Sequence, residues 1–527
     1  FFILRMGVDK AEKYDRQIRL WGTDGQQRIE NASVACLNAT AATTEALKNL
    51  VLPGIGSFTI VDNGNVTNQD LGNNFFVTFD SVGKPRATVC CELLQELNSD
   101  VSGNFLVEDP VTIIDENLQW FNQFTVVVIT NVPAAALQKL AEHLFPRNIP
   151  LLVVTSVGLI GNIRIQVKEH SIIESKPDNS LPDLRITQPW DELKQYCEQV
   201  ELEALDDESH GHIPYIVILY QALQQWKDKH EGRLPSTYKE KQEFKTFVLQ
   251  GRRIENEQNY HEASTEVKNA YLLPEVPEWV EELLQSEKCT EQEASPFWLC
   301  VLALKQFVDK HKVLPLSGSL PDMSSDTLSY QTIQKLYKEK AERDYEEMSQ
   351  YVSNVCKVAG QPRSNISDEF LRLVCKNAQF LRCISTRSIK EELETSTDNG
   401  LKITEAIECD MYGTPKWYLL LRGYQRFQTN YNRAPGADEN DLDADRIALK
   451  NYCDEICKEL EVSGGFVSDE AVQELCRFGG GEVHTISATL GGIVAQECIK
   501  LITAQLVPFN NTYLLDGITC NATTFEV

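Results

Sequence analysis

The sequence predicts an α/β fold: a mostly parallel sheet with helices on both faces, interrupted by a long, mostly helical insertion. Between residues 33 and 168, short apolar runs rich in β-branched residues alternate with helical stretches. Residues 169–477 instead carry long, charged, amphipathic stretches with few strand signals. Residues 478–527 return to a buried helix followed by strands, so the α/β part is completed at the C-terminus.

Each element of the α/β part is predicted from its local pattern. Continuous apolar runs indicate strands buried on both faces, and stretches of helical periodicity between them indicate helices. The predicted strands span residues 34–37, 57–61, 105–107, 125–129 and 151–155, and the predicted helices span residues 41–52, 83–98 and 133–144. We therefore expect a Rossmann-like half in residues 6–168. Residues 1–5 precede the first methionine, Met6, and are left out of the prediction.

The predicted helix near the C-terminus carries a face of small residues. These are Ala488, Gly491, Gly492 and Ala495, within the stretch HTISATLGGIVAQECIK. Without large side chains, another backbone can approach such a face closely. We expect this helix to pack tightly inside the α/β part.

Three stretches of the insertion end alike, with an aromatic residue shortly before a proline that cannot continue a helix. We interpret each as the last turns of a core helix whose aromatic side chain is buried. The pairs are Trp226 and Pro235, Phe307 and Pro315, and Phe427 and Pro435.

Charge and cysteine content restrict the partners and the compartment. The formal net charge of −27 repels nucleic-acid backbones and anionic lipid surfaces, so neither is an expected partner. No uninterrupted apolar run approaches the ~20 residues that span a bilayer, and no membrane insertion is expected. The 15 scattered cysteines indicate reduced thiols and a protein of the cytoplasm, with the nucleus as a further location. His210 and His212 lack further ligands at metal-binding spacing, so no metal site is predicted.

Motifs at both ends of the chain resemble those of the ubiquitin-activating enzyme family. In family order and spacing, they are KYDRQIRLWG at 13–22, DNGNVTNQDLGNNFF at 62–76, VGKPRA at 82–87, TSVGLIGNIRIQVKEH at 155–170 and HTISATLGGIVAQECIK at 484–500. The length of the insertion and segment 318–344 resemble the branch that serves the neddylation modifier. The resemblance implies a degenerate adenylation-type fold over 6–168 and 478–527. Residues 169–477 then correspond to a degenerate catalytic-cysteine-type domain.

The resemblance also locates the expected nucleotide site. Active members adenylate the C-terminal glycine of a ubiquitin-like protein, and their first strand-to-helix junction reads Gly-x-Gly-Gly-x-Gly so that bare backbone can approach phosphate. Here the four glycine positions carry Asn38, Thr40, Ala41 and Thr43. Side chains at these positions fill space meant for phosphate oxygens, so productive ATP binding by this chain is not expected.

The next motif departs from the active pattern as well. Asp62 is retained, but the family's second Asp, its Asn, Arg and Gln, and a phosphate-facing Lys are replaced by Gly64, Asp70, Asn73, Asn74 and Arg86. Loss of the Arg removes a phosphate clamp, and a carboxylate at position 70 repels ATP.

The thioester step lacks its nucleophile. Active members present a cysteine in a Pro-x-Cys-Thr-type segment, whereas residues 181–186 place Leu184 in that register. Cys197 is the nearest thiol, but it falls in a predicted amphipathic helix without an activating His or Lys.

One active-site element is retained. The segment 14–17, Tyr-Asp-Arg-Gln, matches a family segment that reaches across a dimer to the ATP held by the other half. The resemblance implies that Arg16 acts catalytically in trans, because a guanidinium can neutralise charge that develops on phosphates. The alternative is that Arg16 pairs with a surface carboxylate, and Arg19 is a weaker candidate.

The resemblance, with these losses, therefore implies a regulatory, non-catalytic subunit of a heterodimeric activating enzyme. The catalytic partner would bind ATP and Mg and carry the cysteine, and this chain would bind no cofactor. Asp322, Met323 and Tyr330 are predicted to contact a partner. One alternative is a regulatory subunit for another ubiquitin-like modifier. The others are a self-sufficient adenylating enzyme, a Rossmann dehydrogenase, and a pure adaptor for partners such as the tail of the amyloid precursor protein.

Overall fold

In a computed structural model, the described residues are 10–174, 181–290, 294–394, 397–462 and 465–527. They form two compact units. Unit 1 comprises Phe1–His170 together with Cys383–Val527, and unit 2 comprises Ser171–Arg382.

An eight-stranded sheet forms the centre of unit 1. The strands of the chain are β1 (Ser33–Leu37), β2 (Ser57–Val61), β3 (Ser102–Leu106), β4 (Val126–Thr130), β5 (Leu151–Val157), β6 (Ile160–Gln166), β7 (His170–Ile172), β8 (Arg382–Ile384), β9 (Thr512–Asp516) and β10 (Asn521–Phe525). The sheet order is β3-β2-β1-β4-β5-β6-β9-β10. The first five strands run parallel, and each later neighbour pairs antiparallel. The predicted α/β fold is confirmed.

The helices before the insertion are α1 (Lys10–Lys13), α2 (Asp15–Asn31), α3 (Ala41–Val51), α4 (Asp70–Asn73), α5 (Arg86–Gln95), α6 (Pro110–Glu116) and α7 (Ala134–Leu144). They cover the sheet on both faces. Val126 and Val128 of β4 belong to a core with α3 and α5, whereas Val127 and Ile129 belong to a core with α6 and α7. Burial on both faces explains why the central strands are continuously apolar.

The edge strand β3 begins earlier than the sequence predicts. Within the described ranges it pairs with β2 alone, over Ser102–Leu106, and most of its residues are exposed. Apolar content therefore marks this strand poorly, and the predicted span 105–107 captured only its end.

Unit 2 is mainly helical. Its helices are α8 (Asp191–Gln199), α9 (Asp207–His210), α10 (Tyr215–Lys229), α11 (Tyr238–Gln250), α12 (Gln258–Thr265), α13 (Glu278–Gln285), α14 (Pro296–His311), α15 (Thr327–Ala359) and α16 (Asp368–Lys376). Trp226 and Phe307 are buried near the ends of α10 and α14, as the aromatic-to-proline spacing predicts.

The last six helices belong to unit 1, so the unit boundary differs from the predicted insertion 169–477. They are α17 (Ile389–Leu393), α18 (Thr397–Cys409), α19 (Lys416–Tyr431), α20 (Leu442–Glu459), α21 (Asp469–Arg477) and α22 (His484–Thr503). Side chains attach this stretch to the sheet. Trp417 of α19 donates from Nε1 to Asp516 Oδ2 of β9 at 3.1 Å, and Arg164 of β6 pairs with Glu392 of α17 at 2.5 Å. The third predicted aromatic, Phe427, is buried in α19.

Helix α22 packs closely against α3 in the core of unit 1. A Cβ added at Gly491 would lie 2.8 Å from the backbone nitrogen of Ala46 and 2.9 Å from the carbonyl oxygen of Ala42, so the two backbones meet at this glycine. Among the described residues, α22 is the one helix with the length and apolar composition of a membrane span. Since 61% of that apolar stretch is buried inside the protein, α22 is built as a core helix.

Candidate functional site

The junction between β1 and α3 is where nucleotide phosphates would be expected. Asn38 occupies it with a φ of 70°, in the left-handed region that favours glycine but that asparagine tolerates. Its side-chain amide donates to the carbonyl oxygen of Thr130 at 2.8 Å and to that of Asn131 at 3.3 Å. The retained backbone conformation thus carries a side chain that ties β1 to the end of β4.

Threonine side chains fill the rest of the junction. The Thr43 hydroxyl donates to the carbonyl oxygen of Asn38 at 2.7 Å, and the Thr44 hydroxyl donates to that of Thr40 at 2.9 Å. All three threonines are buried. Their hydrogen bonds are made within the chain, so the junction is closed by its own side chains.

A carboxylate lies at the N-terminus of α3. Glu482 Oε2 accepts a hydrogen bond from the backbone N–H of Ala41 at 2.8 Å, and its Oε1 is buried without a hydrogen-bond partner among the described residues. Free amides and the helix dipole attract an anion to this position. Burial raises the pKa of Glu482 to about 7, against the lowering effect of the α3 amides.

Asn73 helps to hold Glu482 in place. Its side-chain amide donates to the carbonyl oxygen of Glu482 at 3.4 Å, and its own carbonyl oxygen lies 2.8 Å from His484 Nδ1. Asn73 occupies the position of the family's phosphate-clamping Arg. The position at which a phosphate-binding Arg is expected therefore supports Glu482, whose carboxylate lies where the phosphate would bind.

Arg86 is neutralised by two aspartates. Its Nε lies 2.8 Å from Asp62 Oδ2, and one terminal nitrogen lies 3.2 Å from Asp70 Oδ1. Burial acts to lower the pKa of Arg86, but the hydrogen bonds and charges of Asp62 and Asp70 raise it above its usual value. Because one guanidinium balances only one of the two carboxylates, the cluster keeps a net negative charge, in line with the repulsion toward ATP expected from the sequence.

The same cluster explains Gly64. A Cβ at this position would lie 3.0 Å from an Arg86 nitrogen and 3.0 Å from Asp62 Oδ1. Restoring the family's second aspartate would therefore conflict with the Arg86–Asp62 pair. Asn74 is also used internally, because its side chain donates to the carbonyl oxygen of Ala39 at 3.2 Å and accepts from Thr44 at 3.1 Å.

The two residues considered for the thioester step are both in the core of unit 2. Leu184 is buried, and Cys197 is fully buried in α8. Burial raises the pKa of the Cys197 thiol to about 12. A thiol with this pKa is protonated at neutral pH and is a poor nucleophile.

The N-terminal segment is anchored by Tyr14. This side chain is buried, its hydroxyl donates to Asp100 Oδ2 at 3.1 Å, and it accepts from the Asn98 amide at 3.0 Å. Arg16 follows in the first turn of α2 and is exposed, and no hydrogen bond or ion pair joins it to another residue that the structure describes. Arg19 instead forms an exposed ion pair with Asp15 at 3.0 Å.

The predicted partner contacts lie in the loop before α15 and in its first turn. Asp322 is exposed, whereas Met323 is partly buried against the core of unit 2, and Tyr330 is partly buried on α15. Their role stays a prediction.

The two histidines considered for metal binding have other partners. His210 Nδ1 lies 2.8 Å from Glu257, and His212 Nδ1 lies 2.7 Å from the carbonyl oxygen of Glu208. Within the described ranges, no three His, Cys, Asp or Glu side chains are grouped to hold a metal ion.

Sequence reasoning missed Glu482 and an exposed apolar stretch. Glu482 lies directly before the α22 motif, and no local pattern links it to Ala41, which is 441 residues away. In the loop after β2, Phe75 is 70% exposed, Phe79 is 86% exposed and Val82 is 41% exposed. The three lie close together in the sequence, and exposed apolar side chains that form a contiguous patch mark an interaction surface. A Phe is equally apolar in the sequence whether its side chain is exposed or buried, so the sequence did not distinguish Phe75 from its buried neighbour Phe76.

Comparison with known proteins extends over nearly the whole chain. The ThiF family matches residues 14–527. The NEDD8-activating enzyme E1 regulatory subunit of Xenopus laevis is 41% identical over 98% of this chain and 99% of its own length. The NEDD8-activating enzyme E1 regulatory subunit AXR1 of Arabidopsis thaliana is 40% identical over 97% and 95%. The Nedd8-activating enzyme E1 regulatory subunit of Drosophila melanogaster is 36% identical over 98% of each chain.

Proposed function

Since the chain belongs to the ThiF family, and within it to the regulatory subunits of NEDD8-activating enzymes, we propose that it is the non-catalytic half of a heterodimer that activates NEDD8. The catalytic partner binds ATP and Mg, adenylates the C-terminal glycine of the modifier and receives it on a cysteine. This chain binds no nucleotide.

The contact between Glu482 and Ala41 is the main support for a non-catalytic role. A carboxylate held 2.8 Å from a backbone amide of α3 takes the position where the helix would otherwise bind phosphate. Asn38 and the three threonines close the junction beside it. ATP would have to displace the carboxyl group of Glu482 and buried side chains at once.

The contribution of this chain to catalysis is assigned to Arg16. Its neighbour Tyr14 is fixed in the core by hydrogen bonds, while Arg16 extends from the first turn of α2 into solvent. Such an arginine can reach ATP held by a docked partner and neutralise charge that develops on the phosphates during adenylation. Without this step the chain would be a pure adaptor, for partners such as the tail of the amyloid precursor protein.

The exposed side chains of Phe75, Phe79 and Val82 support docking of another protein on unit 1. The proposed location is the cytoplasm, with access to the nucleus, because no disulfide bond joins the cysteines that the structure describes, as in a reducing compartment.

The test is ATP–pyrophosphate exchange in the presence of NEDD8, measured on this chain alone, on the catalytic partner alone and on the two together. We expect no exchange by this chain alone and full exchange by the heterodimer. Exchange by the isolated chain, or saturable ATP binding to it at micromolar concentration, would overturn the non-catalytic assignment. The catalytic partner alone shows how much activity this subunit adds.

A further inference from the structure

An acidic groove of about 420 Å³ lies beside α12 in unit 2. The residues that line it include Glu262, Glu266, Asp322 and Tyr215. Its volume falls within the range of about 300–1,000 Å³ that is typical of ligand pockets. Asp322 is one of the residues predicted from the sequence to contact a partner.

The carboxylates of this groove are hydrogen-bonded but not neutralised. Glu262 accepts from the Ser324 backbone N–H at 2.7 Å and from its hydroxyl at 2.6 Å, and Glu266 accepts from the Asn269 amide at 3.1 Å. In the part of the chain that the structure describes, no Lys, Arg or His forms an ion pair with Glu262, Glu266 or Asp322. The bonds to Ser324 also hold the loop that carries Asp322 against α12.

Helix α12 makes this negative charge unfavourable in the unoccupied chain. Glu262 and Glu266 are four residues apart, a spacing at which like charges repel across one helix face. Both lie at the C-terminal end of α12, where the helix dipole is also negative. A cation between them would relieve both effects.

Tyr215 provides a polar group at the same groove. It begins α10 directly after Pro214, and only 2% of its surface is exposed. Its hydroxyl is buried and has no hydrogen-bond partner among the described residues. Burial, together with the charges of Glu266 and Glu262, raises the pKa of Tyr215, so the hydroxyl stays neutral and its oxygen can accept a hydrogen bond.

We propose that this groove binds the guanidinium group of an arginine presented by a protein partner. Glu262 and Glu266 come from α12 and Asp322 from the loop before α15, and they are not grouped as metal ligands would be, since no three acidic, His or Cys side chains are so grouped within the described ranges. A planar guanidinium has five donors and can bridge separated oxygens, including two carboxylates and a hydroxyl. The site is independent of the role of the chain in NEDD8 activation.

Ligand-observed NMR on the full chain tests the proposal with two small probes, acetyl-arginine amide and acetyl-citrulline amide, at low ionic strength. Citrulline has nearly the shape of arginine but no charge. We expect saturable binding of the arginine probe alone. Removal of one charged or polar partner should weaken binding about tenfold, so Glu266→Gln and Tyr215→Phe should each reduce it to that extent.

Glu243→Gln on α11 is the matched control, because Glu243 is exposed and pairs with Lys239 away from the groove. It should bind the arginine probe as the wild type does. Tyr215→Phe keeps the ring and removes a hydroxyl without a described partner, so its melting temperature should not fall. Equal binding of both probes, unchanged binding by the two groove variants, or saturable Ca²⁺ binding that displaces the arginine probe would overturn the proposal.

Discussion

The carboxylate of Glu482 and the amide of Ala41 form the contact on which closure of the α3 N-terminus depends. Around it, residues that replace family motif residues have internal roles: Asn38 joins two strands, Asn73 supports Glu482, and Arg86 is bound by Asp62. The losses of glycine, Asp and Arg were readable from the sequence because they concern residue identity at motif positions. Their replacement contacts were not, because the partners lie far apart along the chain.

We predict that Glu482→Gln alters the pH dependence of stability. The folded-state pKa of Glu482 is about 7, above the usual 4.5, so the folded state binds its proton more tightly. The stabilisation linked to this proton is complete below pH ~4.5 and is lost as pH rises to ~7. Between these pH values, the wild type should lose on the order of 2 kcal/mol of stability that the Gln variant retains.

Thermal unfolding of both proteins from pH 5 to pH 8 measures this difference. At pH 5 the two melting temperatures should be similar, and at pH 8 the Gln variant should melt higher. A difference between the two proteins that does not change with pH would contradict the assignment.

We predict that Arg16→Ala slows adenylation by the heterodimer without weakening its assembly. Loss of a preorganised group that stabilises developing charge lowers rates by about 10²-fold or more. ATP–pyrophosphate exchange measures the rate, and analytical ultracentrifugation measures assembly. Arg19→Ala, which removes only an exposed pair with Asp15, should keep the wild-type rate. An unchanged adenylation rate in Arg16→Ala would leave the segment 14–17 with a structural role only. It would favour the alternative that the chain is a pure adaptor.

At the scale of elements, local periodicity located the central strands and helices well. Strands β1, β2, β4 and β5 and helices α3 and α7 begin within a residue or so of their predicted positions, because burial on both faces gives a strong apolar signal. The edge strand β3 and the N-terminal helix α2 were less visible. Helix α2 is largely polar and contains a kink at Gly22, where φ is 73°, so apolar periodicity does not mark it.

We predict opposite effects for two adjacent glycines of α22. Gly491→Ala should destabilise unit 1 by about 1–3 kcal/mol, because its Cβ would overlap the backbone of α3. Gly492→Ala should stabilise it by about 0.5–1 kcal/mol, because no atom lies within 4 Å and alanine favours a helix more than glycine does. Chemical denaturation of both variants gives the comparison. Equal effects would show that α22 and α3 do not meet at Gly491.

At the scale of the whole molecule, the chain combines a β1–α3 junction filled by its own side chains, an exposed Arg16 without a partner among the described residues, and an exposed apolar loop. The division into units was only partly readable from the sequence. Residues 383–477 have the helical character of the insertion, yet they pack with the sheet through contacts such as Trp417–Asp516. Helical periodicity reports that a segment is amphipathic and does not report which core receives its apolar face.

We predict that Phe79→Ser weakens the heterodimer about tenfold or more, because truncation of an exposed aromatic at an interface removes a large part of its contact area. The isolated chain should keep its melting temperature, since Phe79 is 86% exposed. Tyr238→Ser is the control, because Tyr238 is an aromatic of unit 2 that is 80% exposed. Titration of the catalytic partner, followed by calorimetry, measures both affinities. Unchanged affinity for Phe79→Ser would remove this loop from the interface.

The sequence by itself determined the α/β class, the order of its main elements, the family and the loss of the phosphate-binding glycines. These properties depend on residue identity and on short-range periodicity. Only the tertiary structure decided that Glu482 caps α3 from a position 441 residues away, that Arg86 is neutralised by Asp62 and Asp70, and that Gly491 rather than Gly492 meets α3. Such contacts depend on how the packed core brings distant segments together. Local sequence patterns do not indicate which distant residues will meet.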